Sequence, residues 1–119
     1  PQLEEKVIAL VRAFGMEKRV IFSSFNNVSI LRCRRLAPEI DAGFLWKGPV
    51  IGQAGQYCRD NDVQFFMPDG NYLSDDIVAD FRAHGIRLAP WTANSLPEIR
   101  RLADWDVYCI NTNYPNLRK

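Results

Sequence analysis

The fold is decided by the run Gly85-Ile86-Arg87-Leu88-Ala89-Pro90-Trp91-Thr92-Ala93-Asn94, which lies in the last third of this 119-residue chain. Its apolar stretch from Ile86 to Trp91 predicts a β-strand. Before it, Asp75 to His84 is predicted to be a helix that Ser74 caps. After it, Ser95-Leu96-Pro97-Glu98 has the Ser-x-x-Glu spacing of a capping box, which predicts the start of the next helix. The run therefore places a strand between two helices.

The same alternation continues on both sides of this run. The pattern of apolar residues predicts five strands in total, joined by short connections. Such an arrangement indicates right-handed βαβ units and a parallel sheet. Further helices are predicted at Leu3 to Phe14, Val28 to Leu36 and Ile51 to Asp60, and further strands at Arg19 to Phe25, Ala42 to Trp46, Val63 to Met67 and Val107 to Asn111.

Two architectures share this alternation: an open doubly wound sheet and part of a (β/α)8 barrel. A complete barrel takes about 250 residues, so this chain could hold about half of one. In both folds the functional groups gather at the carboxyl ends of the strands. Spacing alone leaves the choice between them open.

The composition narrows the classes of function. Apolar residues make up 47% of the chain, which is enough to build a core. Fifteen Lys and Arg against fourteen Asp and Glu leave a net charge of +1, which provides no broad field for a nucleic acid or an anionic membrane. No nucleic-acid partner is therefore expected, and Arg32, Arg34 and Arg35 are predicted to form a solvated helix face.

Compartment signals are sparse. Cys33, Cys58 and Cys109 form no C-x-x-C pair, which predicts buried free thiols and favours a reducing compartment such as the cytoplasm. No apolar run approaches the ~20 residues of a transmembrane helix, and no signal-peptide pattern occurs. The chain begins at Pro1 without an initiator Met, which indicates a processed product or a fragment and leaves the localisation open.

Several segments follow one another in an order that is typical of a known family. A strand ending in Ser23-Ser24-Phe25 is followed by Gly43-Phe44-Leu45, by the helix that ends at His84 and by the run from Gly85 to Asn94. That run is similar to a Gly, strand, Trp-Thr-x-Asn block of the glycerophosphodiester phosphodiesterase family. The segment from Asp106 to Pro115 is similar to the family's last strand and its Thr-Asp-x-Pro ending, with Asn113 where the family usually has Asp.

The resemblance extends from about Val20 to Pro115, and it decides between the two architectures. It implies an α/β fold made of about the last five β/α units of a (β/α)8 TIM barrel. Residues 1–119 would then form the carboxyl-terminal half of that barrel, without the amino-terminal catalytic half.

The resemblance also implies an activity, namely hydrolysis of glycerophosphodiesters to sn-glycerol 3-phosphate and an alcohol, in lipid and glycerol metabolism. In the family, glutamates and an aspartate hold Ca²⁺ or Mg²⁺, and two histidines act as acid and base. Their His-Arg-Gly, Glu-x-Asp, His-Asp and Glu-x-Lys segments belong to the amino-terminal strands, and we expect none of them in this chain. We expect no catalytic residue, no metal ligand and no cofactor in this chain alone. A naturally short, inactive binding or assembly module is the alternative.

Phe25 and Trp91 are the candidate substrate-binding residues. The resemblance places both beside the glycerol and the phosphate, where they would form an apolar wall, and burial in the core is the alternative for each. Asn94 would support Trp91 or cap the next helix. His84, the single histidine, is predicted to lie at a helix end without a catalytic role, and Asp69 is predicted to be a turn residue.

Half of a barrel has unpaired strand edges and an uncovered inner face. We therefore expect a homo-oligomer, or contact with the missing amino-terminal half of the enzyme. The strand residues expected near the shared interior are Phe22, Leu45, Phe65, Leu88 and Ile110.

Overall fold

A computed structural model describes residues 2–110 as a parallel sheet with helices packed against it. The strands are β1 (Ile21–Ser24), β2 (Asp41–Trp46), β3 (Phe65–Pro68) and β4 (Arg87–Leu88). The helices are α1 (Gln2–Ala13), α2 (Asn27–Leu36), α3 (Ala54–Asp60), α4 (Asp75–Ala83) and α5 (Leu96–Ala103), with a 3₁₀ turn at Gly70–Tyr72. The predicted alternation of helix and strand is confirmed for these elements.

The order of the strands distinguishes the two architectures that the sequence left open. The strands follow one another as β1-β2-β3-β4, and each neighbouring pair is parallel. A doubly wound sheet reverses its strand order at a switch point, whereas the described strands progress in one direction. Right-handed crossovers of this kind place their helices on the same face of the sheet. This is the arrangement of a (β/α)8 barrel, whose other sheet face points to the interior.

The two faces of the sheet are covered differently. Phe44, Phe66 and Leu88 align in register and belong to the main hydrophobic core. Phe66 stacks on Phe81 of α4 with ring centroids 4.6 Å apart, so this row faces the helices. Because neighbouring strand residues point to opposite faces, the adjacent row faces the barrel interior. That row consists of Ser23, Gly43, Phe65 and Arg87.

The inner face is closed at the amino end of the strands and open at the carboxyl end. Phe65 is only 1% exposed because the Tyr108 ring packs edge-on against it, with centroids 4.9 Å apart. The Arg87 guanidinium lies 5.7 Å from the centroids of both rings. Two residues further along their strands, Leu45 and Met67 are only partly buried. Apolar surface is therefore available towards the carboxyl end.

Of the five residues expected near the shared interior, three lie at the helix-covered core and two lie on the inner face. Leu88 and Ile110 are buried in the helix-covered core, and Phe22 packs against that core as well. Leu45 and Phe65 lie on the inner face, in register with β3 and β4. Side chains alternate between the two faces of each strand, and the sequence did not show which alternate set points to the helices.

The fifth predicted strand, Val107 to Asn111, is not a strand over residues 107–110, and Asn111 lies outside the described residues. Asp106 has a positive φ of 54°, which turns the chain before the segment begins. The Tyr108 N–H still donates to the Leu88 carbonyl at 2.8 Å, so the segment runs beside β4. β4 itself is shorter than predicted, although hydrogen bonds to β3 continue beyond it from the Ala89 N–H to the Phe66 carbonyl at 3.0 Å and from the Trp91 N–H to the Pro68 carbonyl at 2.9 Å.

Helix α1 buries less of its predicted apolar face than expected. Ile8 is 4% exposed and packs with Ala37 and Ile40 in a small second core. Leu10 and Phe14 are 58% and 76% exposed. Neither of these two side chains belongs to the two hydrophobic cores of the described residues.

Arg34 is not part of a solvated cationic face, which corrects the interpretation of Arg32, Arg34 and Arg35. It is buried at the carboxyl end of α2, where its guanidinium donates to the carbonyls of Pro38, Ile40 and Asp62 at 3.1, 2.6 and 2.7 Å. It also pairs with the Asp62 carboxylate at 2.7 Å. Arg34 therefore joins the loops that lead into β2 and β3.

The three cysteines differ in burial. Cys33 and Cys58 are buried thiols, as predicted, and Cys109 is only partly buried. Burial raises the pKa of both Cys33 and Cys58, with a further contribution from a nearby carboxylate in each case. Within residues 2–110, no helix combines the length and the apolar character that a bilayer crossing requires.

Candidate functional site

Four strand exits meet at the open end of the inner face. Phe25 follows β1, Lys47 follows β2 and Asp69 follows β3, while Trp91 lies three residues beyond β4. Asp69 and Trp91 form an isolated parallel bridge, which extends the sheet by one step at this end. Since the carboxyl ends of parallel strands carry the functional groups of barrels, this is the candidate site.

Trp91 is fixed by three hydrogen bonds to the end of β3 and the loop that follows. Its backbone N–H donates to the Pro68 carbonyl at 2.9 Å, and its carbonyl accepts from the Gly70 N–H at 2.7 Å. Its indole N–H donates to the Met67 carbonyl at 2.7 Å. The Trp91–Thr92 peptide bond is cis. The ring is therefore oriented by polar contacts at its rim, and its faces stay available for apolar contacts.

Phe25 is placed beside Trp91 by the turn between β1 and α2. The Ser24 hydroxyl accepts from the Asn26 N–H at 3.0 Å, and Asn26 caps α2 by accepting from the Ser29 N–H at 3.2 Å. Phe25 is 57% exposed, and its ring is nearly perpendicular to the Trp91 ring, at 87°, with centroids 6.2 Å apart. The structure thus brings the two candidate residues together and does not bury them in the core.

A cleft of about 470 Å³ opens next to this aromatic pair. It is lined by Phe25, Leu45, Trp46 and Lys47. The Trp46 indole donates to the Pro49 carbonyl at 2.9 Å, which fixes the wall on the β2 side. The cleft combines apolar walls with one lysine at its rim, so it can accept a small ligand that has both apolar and anionic parts.

A second cleft, of about 400 Å³, lies at the opposite end of the sheet. Its lining includes Ile86, just before β4, and Trp105, which follows α5. In (β/α)8 barrels this amino end serves stability, and the chemistry lies at the other end. We therefore place the candidate site at the cleft beside Phe25.

The acidic residues of the described region do not form a metal site. Within residues 2–110, no three His, Cys, Asp or Glu side chains lie together in a group that could hold a metal ion. Asp69, at the end of β3, accepts from the Asn71 N–H at 3.0 Å and caps the 3₁₀ turn. This agrees with its prediction as a turn residue. These residues do not fit the Ca²⁺ or Mg²⁺ site that the family resemblance implies.

The expectation that neither a Glu-x-Asp nor a Glu-x-Lys triplet occurs was wrong: the chain contains Glu39-Ile40-Asp41 and, in α1, Glu4-Glu5-Lys6. Glu39-Ile40-Asp41 leads into β2, so it lies at the amino end of that strand. Glu39 pairs with Arg12 of α1 at 2.6 Å, and Arg12 holds the pKa of this carboxyl below its usual value. The triplet therefore connects α1 to the sheet and lies away from the candidate site.

His84 lies at the carboxyl end of α4, as predicted. Its Nδ1 lies 2.8 Å from the Asp80 carbonyl, and its Nε2 lies 3.1 Å from the Gln56 side-chain oxygen on α3. These contacts join α3 to α4 on the outside of the sheet. His84 therefore has a structural position and does not approach Phe25 or Trp91.

Sequence reasoning did not single out Lys47 or Gly70. The period of two beyond Leu45 could have placed Lys47 at the same mouth as Phe25. Gly70 gave no such signal, because its contact with Trp91 is 21 residues away in the chain. Asn94 is exposed, and the cap of α5 is Ser95, so the helix-capping alternative for Asn94 was wrong.

Comparison with known proteins gives the family. The profile of the glycerophosphoryl diester phosphodiesterase family matches residues 2–117. The chain belongs to this family. The glycerophosphodiester phosphodiesterase of Bacillus subtilis (strain 168) is 29% identical to it over 126 residues, which cover 98% of this chain and 43% of that enzyme.

Solved structures of the family agree on the fold. A protein of Silicibacter pomeroyi DSS-3, provisionally described as a glycerophosphoryl diester phosphodiesterase, matches with a TM-score of 0.86 and 28% identity over 94% of this chain and 40% of its own. An Oleispira antarctica phosphodiesterase in complex with the product sn-glycerol-3-phosphate matches with a TM-score of 0.76 and 21% identity, over 94% of this chain and 47% of its own. These matches confirm the prediction of a partial TIM barrel. The chain spans about half the length of the curated relatives it matches.

Proposed function

We propose that residues 1–119 form the carboxyl-terminal part of the barrel of a glycerophosphodiester phosphodiesterase. The complete enzyme would hydrolyse glycerophosphodiesters to sn-glycerol 3-phosphate and an alcohol. The observation that carries this proposal is the edge-to-face pair of the exposed Phe25 and the half-buried Trp91 at the carboxyl end of the sheet. Membership of the family and the sn-glycerol-3-phosphate complex of a structural relative support it.

In this proposal the two rings form the apolar wall of the substrate site. The carbon atoms of the glycerol would pack on the rings, which restricts water and orients the phosphodiester. Lys47 lies at the rim of the same cleft and would attract the anionic phosphate. The hydrogen bonds of Trp91 keep the wall in place before the substrate binds.

The reaction also needs groups that the described residues do not provide. Hydrolysis of a phosphodiester requires neutralisation of charge on the phosphoryl oxygens and proton transfer to the leaving oxygen. No metal-ligand group lies within residues 2–110, and His84 is on the outer side. The proposal therefore assigns the Ca²⁺ or Mg²⁺ ion and the acid and base to the rest of the enzyme, and it assigns no turnover to this chain alone.

The uncovered parts of the half-barrel call for a partner. Within residues 2–110, β1 pairs only with β2, and Leu45 and Met67 are partly exposed on the inner face. An unpaired edge beside an apolar face favours association. The proposed partner is the amino-terminal half of the enzyme, with a second copy of this chain in its place when that half is absent.

A joined barrel tests the proposed function. The part of the Bacillus subtilis relative that precedes the matched region is fused to residues 1–119, and hydrolysis of glycerophosphocholine is followed with Mg²⁺ or Ca²⁺. We expect turnover that a chelator abolishes, and no turnover from the 119-residue chain alone. A folded joined barrel without turnover on any glycerophosphodiester would contradict the proposal.

Two variants of the joined barrel test the wall. Trp91→Ala and Phe25→Ala should each lower kcat/KM about tenfold or more, because misplacement of a substrate by about 1 Å can cost 100-fold. Leu36→Ala, which changes an exposed residue at the far end of α2, is the matched control and should leave kcat/KM unchanged. The alternative of an inactive binding module predicts that the chain alone binds glycerophosphocholine, which calorimetry at millimolar ligand measures.

A further inference from the structure

The position of Trp91 depends in part on the loop that follows the neighbouring strand β3. Gly70 begins the 3₁₀ turn after β3, and its N–H donates to the Trp91 carbonyl at 2.7 Å. Gly70 is buried although it lies in a loop. Whatever fixes Gly70 therefore also fixes the main chain of Trp91.

Helix α5 fixes Gly70 through two neighbouring residues. Arg101 donates from its guanidinium to the Gly70 carbonyl at 3.0 Å. Leu102 lies directly against the Gly70 Cα: a Cβ added at Gly70 would meet both Leu102 methyl carbons at 3.0 Å. Both backbone polar groups of Gly70 are thus used: the N–H donates to Trp91, and the carbonyl accepts from Arg101 and from the Leu73 N–H at 3.3 Å. The absence of a side chain lets α5 approach this closely.

Arg101 is itself held in place. Its guanidinium carbon lies 5.5 Å from the centroid of the Trp105 ring. The Trp105 indole N–H donates to the Asp75 carboxylate at 2.7 Å, at the start of α4. The guanidinium is therefore held between a fixed aromatic ring and the Gly70 carbonyl, and it does not point into the cleft beside Phe25.

We propose that Arg101 is a positioning residue for the substrate wall, acting on Trp91 through Gly70. This inference rests on the proposed function for the role of Trp91, but the structural link stands on its own contacts. Arg101 orients the Gly70 peptide, the Gly70 N–H holds the Trp91 carbonyl, and the Trp91 ring keeps its perpendicular contact with Phe25. Arg101 touches no substrate.

The structural link is tested on the 119-residue chain labelled with 5-fluorotryptophan, whose three tryptophans give separate fluorine resonances. Arg101→Met should shift or broaden the Trp91 resonance, which Trp91→Phe assigns, and leave Trp46 unchanged. Arg100→Met, at the neighbouring exposed position of α5, is the matched control and should leave both unchanged. Arg101→Lys keeps a donor and should restore part of the shift.

Gly70→Ala is a second variant that does not remove a charge. Its Cβ would press on Leu102, so we expect it to displace the same loop and to shift the Trp91 resonance in the folded chain. A Trp91 resonance that stays unchanged in both Arg101→Met and Gly70→Ala, in chains that unfold cooperatively, would overturn the structural link.

The functional consequence is measured in the joined barrel. Arg101→Met should lower kcat for glycerophosphocholine about tenfold, less than the 100-fold that a 1 Å misplacement can cost, while KM changes less than twofold. Equal activity of Arg101→Met and Arg100→Met would overturn the positioning role. If the unmodified joined barrel is inactive, the proposed function fails, and the fluorine spectra still decide whether Arg101 positions Trp91.

Discussion

Replacing Arg34 with Met should destabilise the chain more than replacing any other charged residue of a helix. The Arg34 side chain is 8% exposed and donates to three main-chain carbonyls and one carboxylate. The Ile40 carbonyl is the most enclosed of these acceptors, with a bond of 2.6 Å. Met fills the space of the aliphatic stem but satisfies no acceptor, so hydrogen bonding and not packing is tested.

The magnitude follows from how many acceptors lose their partner. A buried polar group left unsatisfied costs about 1–3 kcal/mol, and the Ile40 carbonyl should bear this cost in full. The Asp62 carboxylate is 78% exposed and can be solvated, which keeps the total below the about 3–5 kcal/mol of a fully broken buried ion pair. We expect Arg34→Met to lower the free energy of unfolding by about 2–4 kcal/mol.

Urea unfolding followed by circular dichroism measures this change. Arg35→Met is the matched control, because Arg35 is the next residue of the same helix and is exposed, and it should change stability by less than about 0.5 kcal/mol. Arg34→Lys keeps the charge but cannot reach several acceptors at once, so it should recover less than half of the loss. Equal urea midpoints for Arg34→Met and Arg35→Met would show that the hydrogen bonds of Arg34 do not stabilise the fold.

Three further outcomes are expected. Gly55→Ala should destabilise the chain by about 1–3 kcal/mol, because its Cβ would lie 2.8 Å from the Asp80 carboxylate oxygen and push α3 from α4. Gly52→Ala is the control, because Gly52 has open space around it, and equal urea midpoints for the two variants would contradict the prediction. Burial, with a contribution from Asp80, raises the pKa of Cys58 to about 12 from 9.0, so the folded state retains this proton and the free energy of unfolding falls as the pH rises above about 9, by up to about 1.4 kcal/mol per pH unit. Cys58→Ala, compared by urea unfolding between pH 7 and 10, should remove this contribution to the pH dependence of stability. Identical pH dependence in both chains would show that it has another origin. Light scattering at micromolar concentration should give the mass of a dimer or a larger assembly, and a cooperatively folded monomer of 13.7 kDa would contradict the proposed association.

Local sequence signals predicted those elements whose physical cause is local. Ser74 and Ser95 cap α4 and α5 as predicted, each accepting from the N–H three residues later at 3.4 Å. These contacts depend on four consecutive residues, so they are visible in the sequence.

Non-local contacts were beyond the sequence. Arg34 looked like one of three helix cations, and its burial depends on loops 4 to 28 residues away. Phe25 and Trp91 became candidates through the family resemblance, and the structure adds that the rings touch. The link from Arg101 to Gly70 spans 31 residues and involves no motif, so it could be found only in three dimensions.

The carboxyl end of this sheet is proposed to form the apolar wall of a glycerophosphodiester site. A crystal structure of the joined barrel with sn-glycerol 3-phosphate would show this wall in contact with its ligand. We expect the glycerol carbons to lie within about 4.5 Å, the distance of an apolar contact, of both the Phe25 and Trp91 rings. A product bound at full occupancy with its glycerol carbons beyond that distance from both rings would contradict the proposed wall.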